Sequence, residues 1–380
     1  MNLRTLQSVD ERRKAIEAEL SVDLRGVGSS VLDTSKSSSK NCENMVGYTQ
    51  IPMGIAGPIT IKSENGKINN YYLPLTTTEG ALVASISRGC KAITESGGAI
   101  ATAFRIGTTR GAVFSVDNVM QGKEVAEYIY AHKTAFETIA SETSKHISLV
   151  DIVVKGVGKH VFVRFAYNTQ DAMGMNMVTI ATDAIAHAIT NATNSRCVSI
   201  AGNYDIDKKP AWLNVIRGRG FEVRADVAIP SGVLEHTLKT SAKEIYDVWL
   251  AKCMIGSALA GAMGFNAQFA NIIAALFLST GQDPAHITEG SLGITTCEVV
   301  DDSSLYMSVY LPDLMVGSVG GGTGLQTQSE AISILGVKTS QQLAEVISGA
   351  VLAGELSLLA SLSEGSLTRA HKRLGRGESV

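Results

Sequence analysis

The sequence predicts an α+β protein: a large mixed α/β body interrupted by a small inserted unit of order β-α-β-β-α-β. Three observations predict it. The chain's 380 residues exceed the length over which one hydrophobic core keeps growing, so two domains are expected. The middle third alternates β-branched and aromatic runs with helical periodicity. The segments on either side return to helical texture punctuated by glycine.

Taken in order, "MNLRTLQSVDERRKAIEAEL" has a charged helical pattern with no apolar signal region. The Ser-rich run "GVGSSVLDTSKSSSKN" reads as a mobile linker or a wrapping arm, which sets residues 1–40 apart. "IPMGIAGPITI" reads as loops between short strands. A helix is expected from Ala81 to Ser96, started by "TTTEG" and stopped by Gly97 and Gly98. Then come strand "GAVFSV", a long helix from about Asn118 to Ala140, and strands "VDIVVK" and "HVFVRFAY" joined through Gly156 to Gly158. A helix from Asn176 to Thr193 and strand "CVSIAG" complete the order of a ferredoxin-like unit. This places a small domain at 112–199, inserted into a larger one made of 41–111 and 200–380. In the larger one, "NIIAALFLSTGQDPAH" runs as a helix to Thr280, ends at Gly281 and restarts at Asp283-Pro284.

Composition removes several function classes. Lys+Arg 33 against Asp+Glu 36 leaves no broad basic footprint for nucleic acid. The five cysteines are widely spaced, without a CxxC pair or a metal-site pattern, which fits a reduced cytoplasmic setting and no metal. The runs "NIIAALFL" and Ile255 to Gly264 are too short or too interrupted for a membrane span.

Several short stretches carry residue types that chemistry uses. In "TTTEGALVAS", Thr76 and Glu79 have capping-box spacing, so Glu79 is either structural or chemical. Ser85, Arg88 and Lys91 recur at three-residue steps, as an exposed face or an anion-facing one. In "DAMGMNMVT", Gly174 permits close backbone approach, the helix start favours negative charge, and Met173 and Met175 suit either a flat ring or a core. "GSVGGGTGLQTQ" lacks GKS/GKT and does not fit GxGxxG, leaving a flexible turn or a backbone-lined ligand site. "GNYDIDKKPAWLNV" holds Asp205, Asp207, Lys208 and Lys209, a solvated cluster or one that faces a reacting group. In "SLTRAHKRLGR", His371 lies toward a helix C-terminus, where the dipole favours imidazolium.

With "ENMVGYTQIPMGIAGPI" and "GQD", these segments occur in the order and approximate spacing of class I hydroxymethylglutaryl-coenzyme A (HMG-CoA) reductases. The chain resembles a soluble, archaeal-like form of that family over about residues 41–376. The resemblance implies reduction of 3-hydroxy-3-methylglutaryl-CoA to mevalonate with two hydrides from NADPH, releasing CoA. It makes 41–111 and 200–380 the substrate domain and 112–199 a non-Rossmann NADP-binding domain.

The resemblance implies Lys208 at the thioester oxygen, Glu79 as proton donor, Asp283 beside Glu79 as its tuner, and His371 protonating the departing thiolate. Arg110, Asp207, Lys209, Lys252 and Asn271 would surround the hydroxymethylglutaryl group, with Ser85, Arg88 and Lys91 along CoA. Asp171, Met173, Gly174, Met175, Asn176 and the turn Gly320, Gly321, Gly322 would meet NADPH. Ser144, Lys145 and Arg376 would meet its 2′-phosphate. The family also implies a homodimer or dimer of dimers with the active site between subunits. Ala201, Gln268, Lys91, Lys145 and Gly377 depart from the animal pattern, and the membrane-anchor region of that form is not expected. Two rivals differ in class: an NADH-preferring relative that oxidises mevalonate, and a CoA-thioester binding or cleaving protein.

Overall fold

The computed structural model describes residues 5–30, 32–63 and 66–365. His371 and Arg376 lie outside the described residues. The chain opens with α1 (Val9–Leu20), whose N-cap Ser8 and N3 residue Glu11 form a capping box. Two short helical turns, Arg25–Gly28 and Ser35–Lys40, follow in the Ser-rich run. They are tied to the chain beyond: Ser37 Oγ lies 2.7 Å from Tyr48 Oη, and Arg12 Nε donates to Met45 O at 2.9 Å.

Strands β1 (Met53–Ser63) and β2 (Ile68–Thr76) form an antiparallel hairpin. β1 is one continuous strand where loops were expected. Its register shifts between Ala56 and Ile59, around Pro58, which has no N–H for the ladder. On it lies α2 (Leu82–Glu95). Leu82, Ile86, Cys90 and Ile93, at helical spacing, are all buried. The Thr76/Glu79 capping box does not form. Ala81, in the left-handed region at φ 75°, is the N-cap, and the Glu79 N–H donates to Thr77 Oγ1 at 2.9 Å.

The 17-residue β3 (Ala99–Ser115) is shared between two sheets. Its first half pairs with β1 and with β7 (Arg219–Ile229), and its second half with β5 (His160–Asn168) and β6 (Arg196–Ser199). The hand-off falls at Gly107 (φ 110°), where a Cβ would meet Tyr167 O at 2.8 Å, so a side chain here would push the second sheet away.

In the small unit, β4 (Ser148–Val157) pairs with β5, giving the antiparallel order β4-β5-β3-β6. Helices α3 (Val119–Ala131), α4 (Lys133–Thr143) and α5 (Met175–Thr193) cover it. The expected single helix from Asn118 to Ala140 is therefore two, meeting at His132, whose ring stacks on Tyr128 at 4.0 Å. Ala112, Phe114, Val163, Phe165, Ile185 and Ile189 belong to a hydrophobic cluster separate from the main one.

In the large body, β7 pairs with β9 (Ser304–Leu314), and β9 with β8 (Ile294–Val300), completing the order β2-β1-β3-β7-β9-β8. The helices α6 (Ala242–Trp249), α7 (Phe269–Thr280), α8 (Gln326–Leu335) and α9 (Ser340–Glu364) pack around it. No motif in the sequence sets α9 apart. It is long and apolar enough to cross a membrane, yet 83% of its most apolar window is buried inside the protein. Apolar residues on every side of a helix are what a core position demands.

Candidate active site

A cleft of about 810 Å³ brings together segments far apart in the chain. Its walls are the turn from β5 into α5 (Ala172 to Met177), the turn after β9 (Gly317 to Thr323) and the turn after α7 (Gly281 to Pro284), with Lys208, Lys40 and Asn41 at its edge. Glycines make this convergence possible. A Cβ on Gly322 would meet Gly281 O at 2.5 Å, and one on Gly317 would overlap Met173 N. The three turns are thus in backbone contact, and Asp283 is carried to the cleft by that contact.

Asp283 caps the turn Pro284–His286, accepting from Ala285 N–H at 3.0 Å. Its Oδ2 lies 2.7 Å from Lys208 Nζ. Burial opposes ionisation of Asp283, but Lys208, the Ala285 N–H and His286 outweigh it and hold the carboxyl below its ordinary range. Lys208 comes from a loop with three non-glycine residues at positive φ, Asn203 (61°), Ile206 (48°) and Lys208 itself (59°). For β-branched Ile206 that backbone is strained.

What overdetermines the loop is a buried polar network beneath it. Asn214 Nδ2 donates to Ile206 O at 3.0 Å, to Asp313 Oδ2 at 2.5 Å and to Glu289 Oε2 at 3.2 Å. Arg219, fully buried, donates to Thr109 Oγ1 at 2.8 Å, Glu289 Oε1 at 2.5 Å and Asp207 Oδ1 at 2.9 Å, and its Nη2 reaches Met175 Sδ at 3.2 Å. One guanidinium thus joins β3, the Lys208 loop, the segment after Asp283 and the α5 wall. Arg110 Nη1 stands 3.8 Å from Asp205 Oδ2 and 3.7 Å from Asp207 Oδ2. Burial, then the Glu289 carboxylate, hold the Asp313 carboxyl well above its ordinary range. For Glu289 burial acts the same way, but His286 and Arg219 prevail and lower it.

Of the residues singled out from sequence, Arg110, Asp207, Lys208 and Asp283 thus meet in one cluster, and Lys209 Nζ donates to Asp207 O at 3.1 Å. Met173, Gly174, Met175, Asn176 and Gly320 to Gly322 line the cleft beside it. Asp171 is engaged elsewhere: its Oδ1 accepts from Ser340 N–H at 2.8 Å, at the start of α9. Ser144 Oγ contacts Met177 Sδ at 3.8 Å, and Lys145 is exposed.

A second set lies against α9. Ser85 Oγ donates to Ser357 Oγ at 3.0 Å, and Arg88 reaches Ser357 O at 2.6 Å and Glu364 at 3.7 Å. Gln268 Nε2 donates to Gly354 O at 2.6 Å, and Gln268 Oε1 accepts from Asn271 Nδ2 at 3.3 Å. The charges of Lys252 and buried Glu355 interact, and Lys91 is exposed beside Glu95 at 3.7 Å. Glu79 is exposed, and no hydrogen bond or ion pair among the described residues joins it to Lys208 or Asp283. The expected contact of Asp283 with Glu79 is therefore not made within one chain; Lys208 takes that place.

Arg219, His286, Glu289 and Asp313 were missed from sequence. For two of them a signal exists: Arg219 shares the inward register of Phe221, Val223 and Ala225 on β7, and Asp313 that of Met307, Val309 and Leu311 on β9. A charge at an inward, apolar register marks a buried polar network.

Fold and cleft together define a mixed α/β protein with a glycine-walled ligand site and a Lys–carboxylate pair at its edge, the form of a small-molecule enzyme. The chain belongs to the hydroxymethylglutaryl-coenzyme A reductase family, whose sequence model matches residues 8–376. It is 45% identical over 375 residues to the 3-hydroxy-3-methylglutaryl-coenzyme A reductase of Methanothermobacter thermautotrophicus, covering 98% of this chain and 94% of that one. The Pyrococcus abyssi enzyme of the same name is 45% identical, with 96% and 92% covered. In fold, the chain is similar to the class II 3-hydroxy-3-methylglutaryl-CoA reductase from Streptococcus pneumoniae bound to NADPH, with a TM-score of 0.71 at 20% identity over 95% of this chain and 99% of that one.

Proposed function

We propose that the protein reduces 3-hydroxy-3-methylglutaryl-CoA to mevalonate and free CoA at the expense of two NADPH. The observation that carries this reading is the Lys208–Asp283 pair at 2.7 Å on the edge of the glycine-walled cleft. The cleft fits a dinucleotide: side-chain-free turns admit phosphates, the N-terminal end of α5 favours their charge, and Met173 and Met175 offer apolar surface to a flat ring. NADPH supplies the two hydrides. The chain's residues supply the charge and the protons.

Hydride addition leaves negative charge on the thioester oxygen, and the Lys208 ammonium is the cation to meet it. One such donor is worth roughly 10²- to 10³-fold in rate. Asp283 holds the ammonium, and Arg219 holds Asp207 beside it, so the charge is in place before reaction. Arg110, Asp207 and Lys209 take the hydroxymethylglutaryl end, whose free carboxylate needs a cation. Glu79 gives the proton for the new alkoxide, and His371 the proton for the thiolate.

The division of the predicted residues supports an active site shared between subunits. One chain presents Arg110, Asp207, Lys208, Lys209 and Asp283 together, while Glu79, Ser85, Arg88, Lys252 and Asn271 stand apart, so a second copy would supply the second set. The exposed Met53, Ile55 and Tyr72 of the β1–β2 hairpin, with Ile51 just before it, support such a partner, since single chains seldom leave apolar side chains clustered in water. The separate core and strand order of 112–199 support a ferredoxin-like cofactor domain set into 41–111 and 200–380. "DAMGMNM" favours class I, and the free cysteines favour the cytoplasm.

The deciding assay follows HMG-CoA-dependent NADPH oxidation and thiol release together. Two NADPH per thiol is expected; thiol release without NADPH consumption would favour a thioester-cleaving protein. Initial rates with NADPH and NADH test the cofactor, and an NADH preference would favour the mevalonate-oxidising reading.

A further inference from the structure

We infer that His286 is a positioning residue of this site: anchored through Nδ1 on Glu289, it offers Nε2–H to Asp283 as the alternative partner to Lys208. This rests on the reading that Lys208 and Asp283 carry the chemistry.

His286 is fully buried in the turn that Asp283 caps. Its Nδ1 is in hydrogen-bond contact with Glu289 Oε1. An ionised carboxylate only accepts, so Nδ1 carries a proton there. Its Nε2 is buried without a hydrogen-bond partner, a state that costs a polar atom its solvation with no return. That orphan atom points between two carboxylates, 3.7 Å from Asp283 Oδ2 and 3.8 Å from Asp207 Oδ1. Asp283 Oδ2 is the same oxygen that lies 2.7 Å from Lys208 Nζ. One acceptor thus has a near donor on the cleft side and a withdrawn one on the buried side.

When Lys208 turns toward an oxygen gaining charge, Asp283 Oδ2 loses its donor. His286 restores one by closing about 0.8 Å to ordinary hydrogen-bond distance. The charges around the ring suit this task. Asp283 comes from its own turn, Glu289 from the segment that follows and Asp207 from the Lys208 loop. On the other side Arg219 Nη1 lies 3.5 Å from Nδ1, and Asp205 and Asp313 stand behind that guanidinium. Arg219 faces the ring itself, while Lys208 and Arg110 reach Asp283 and Asp207 from their far sides. Once Lys208 turns away, the two carboxylates that Nε2 points between are served by a second proton on the ring, at Nε2 as well as at Nδ1. His286 already contributes to keeping the Asp283 carboxyl low, so its loss moves the acid limb of the kcat–pH profile toward higher pH.

The test uses the full chain and HMG-CoA-dependent NADPH oxidation with His286→Leu, His286→Gln and Asp283→Asn. His286→Leu is expected to lower kcat roughly 10- to 100-fold, leave KM for NADPH little changed and displace the acid limb upward. His286→Gln keeps an N–H donor near Asp283 and recovers most of kcat. In an Asp283→Asn background His286→Leu adds no further loss, because the acceptor it serves is gone. Should the Leu variant fail to fold, Glu289→Gln, which loosens the anchor, is expected to give the same displacement in smaller degree. Wild-type kcat and pH profile in His286→Leu, with Asp283→Asn inactive, would overturn the inference alone. Equal loss in the Leu and Gln variants, tracking a lowered melting temperature, would also overturn it, since that is a structural role. An active Asp283→Asn enzyme would remove instead the reading on which it stands.

Discussion

Lys208 is held at φ 59° with 41% of its side chain exposed, and its ammonium meets Asp283. The lysine therefore contributes little to the core and much to the charge at the cleft edge. Lys208→Ala is expected to lower kcat about 10²-fold or more with unchanged circular dichroism and melting temperature; retained activity would return the two lysines to a solvated cluster. Deeper in, Asp313 has a carboxyl raised first by burial and then by Glu289. A carboxyl raised on folding contributes stability that is complete below its unfolded value and lost as pH rises through the folded one. Asp313→Asn removes that titration, so its melting temperature is expected to fall less than wild type's as pH rises above the ordinary carboxyl range. Parallel curves for the two proteins would count against a proton held at Asp313. At this scale the sequence offered residue types but not neighbours. "DKK" offered two lysines without saying which would meet Asp283, and nothing local to Arg219 says that it reaches Asp207, since their joining depends on the fold that brings β7 to the loop.

The helices announced themselves through caps and period. Asn118 accepts N–H groups of both Met120 and Gln121 at the start of α3, and Gly281 ends α7 in the left-handed region, as residue type alone suggests. Where local signals failed, a tertiary contact had overridden them. "TTTEG" has capping-box spacing, but the chain turns through Ala81 at φ 75° instead, leaving Glu79 exposed. "IPMGIAGPITI" looks like loops until β2 and β3 supply its partners. Helix α9 carries the largest consequence of packing: at Gly89 the backbone of α2 approaches so closely that a Cβ would overlap Ala353 O. Neither backbone can yield without parting α2 from α9. Gly89→Ala is expected to cost about 1–3 kcal/mol or more, read as a melting temperature several degrees lower; a wild-type melting temperature would mean that the helices slide apart freely. Glu355, fully buried on α9, accepts from Ala267 N–H at 2.8 Å and Gln268 N–H at 2.6 Å, satisfying donors at the start of α7 that no local side chain caps.

The division of the site residues into two sets is a property of the whole molecule. If Glu79 from one copy completes the Lys208–Asp283 pair of another, two inactive variants should complement. In an equal mixture of Glu79→Gln and Lys208→Ala chains, re-assembled at random, half the dimers are mixed and each holds one intact site of two, so about a quarter of wild-type activity is expected. No recovery after verified subunit exchange would place both residues in one subunit's site. The sequence by itself determined many of the parts: most helix starts and stops, the strand runs of the middle third, the glycine-rich turns and the motifs that identify the family. These are local because caps, turns and side-chain periodicity act over a few residues. Only the tertiary structure decided that β3 serves two sheets, that α9 lies in the core, and that Lys208 leans on Asp283 above a buried Arg219, His286, Glu289 and Asp313. Such partners lie tens of residues apart, and what fixes them is the need of each buried charge for a countercharge that only the folded chain can bring within reach.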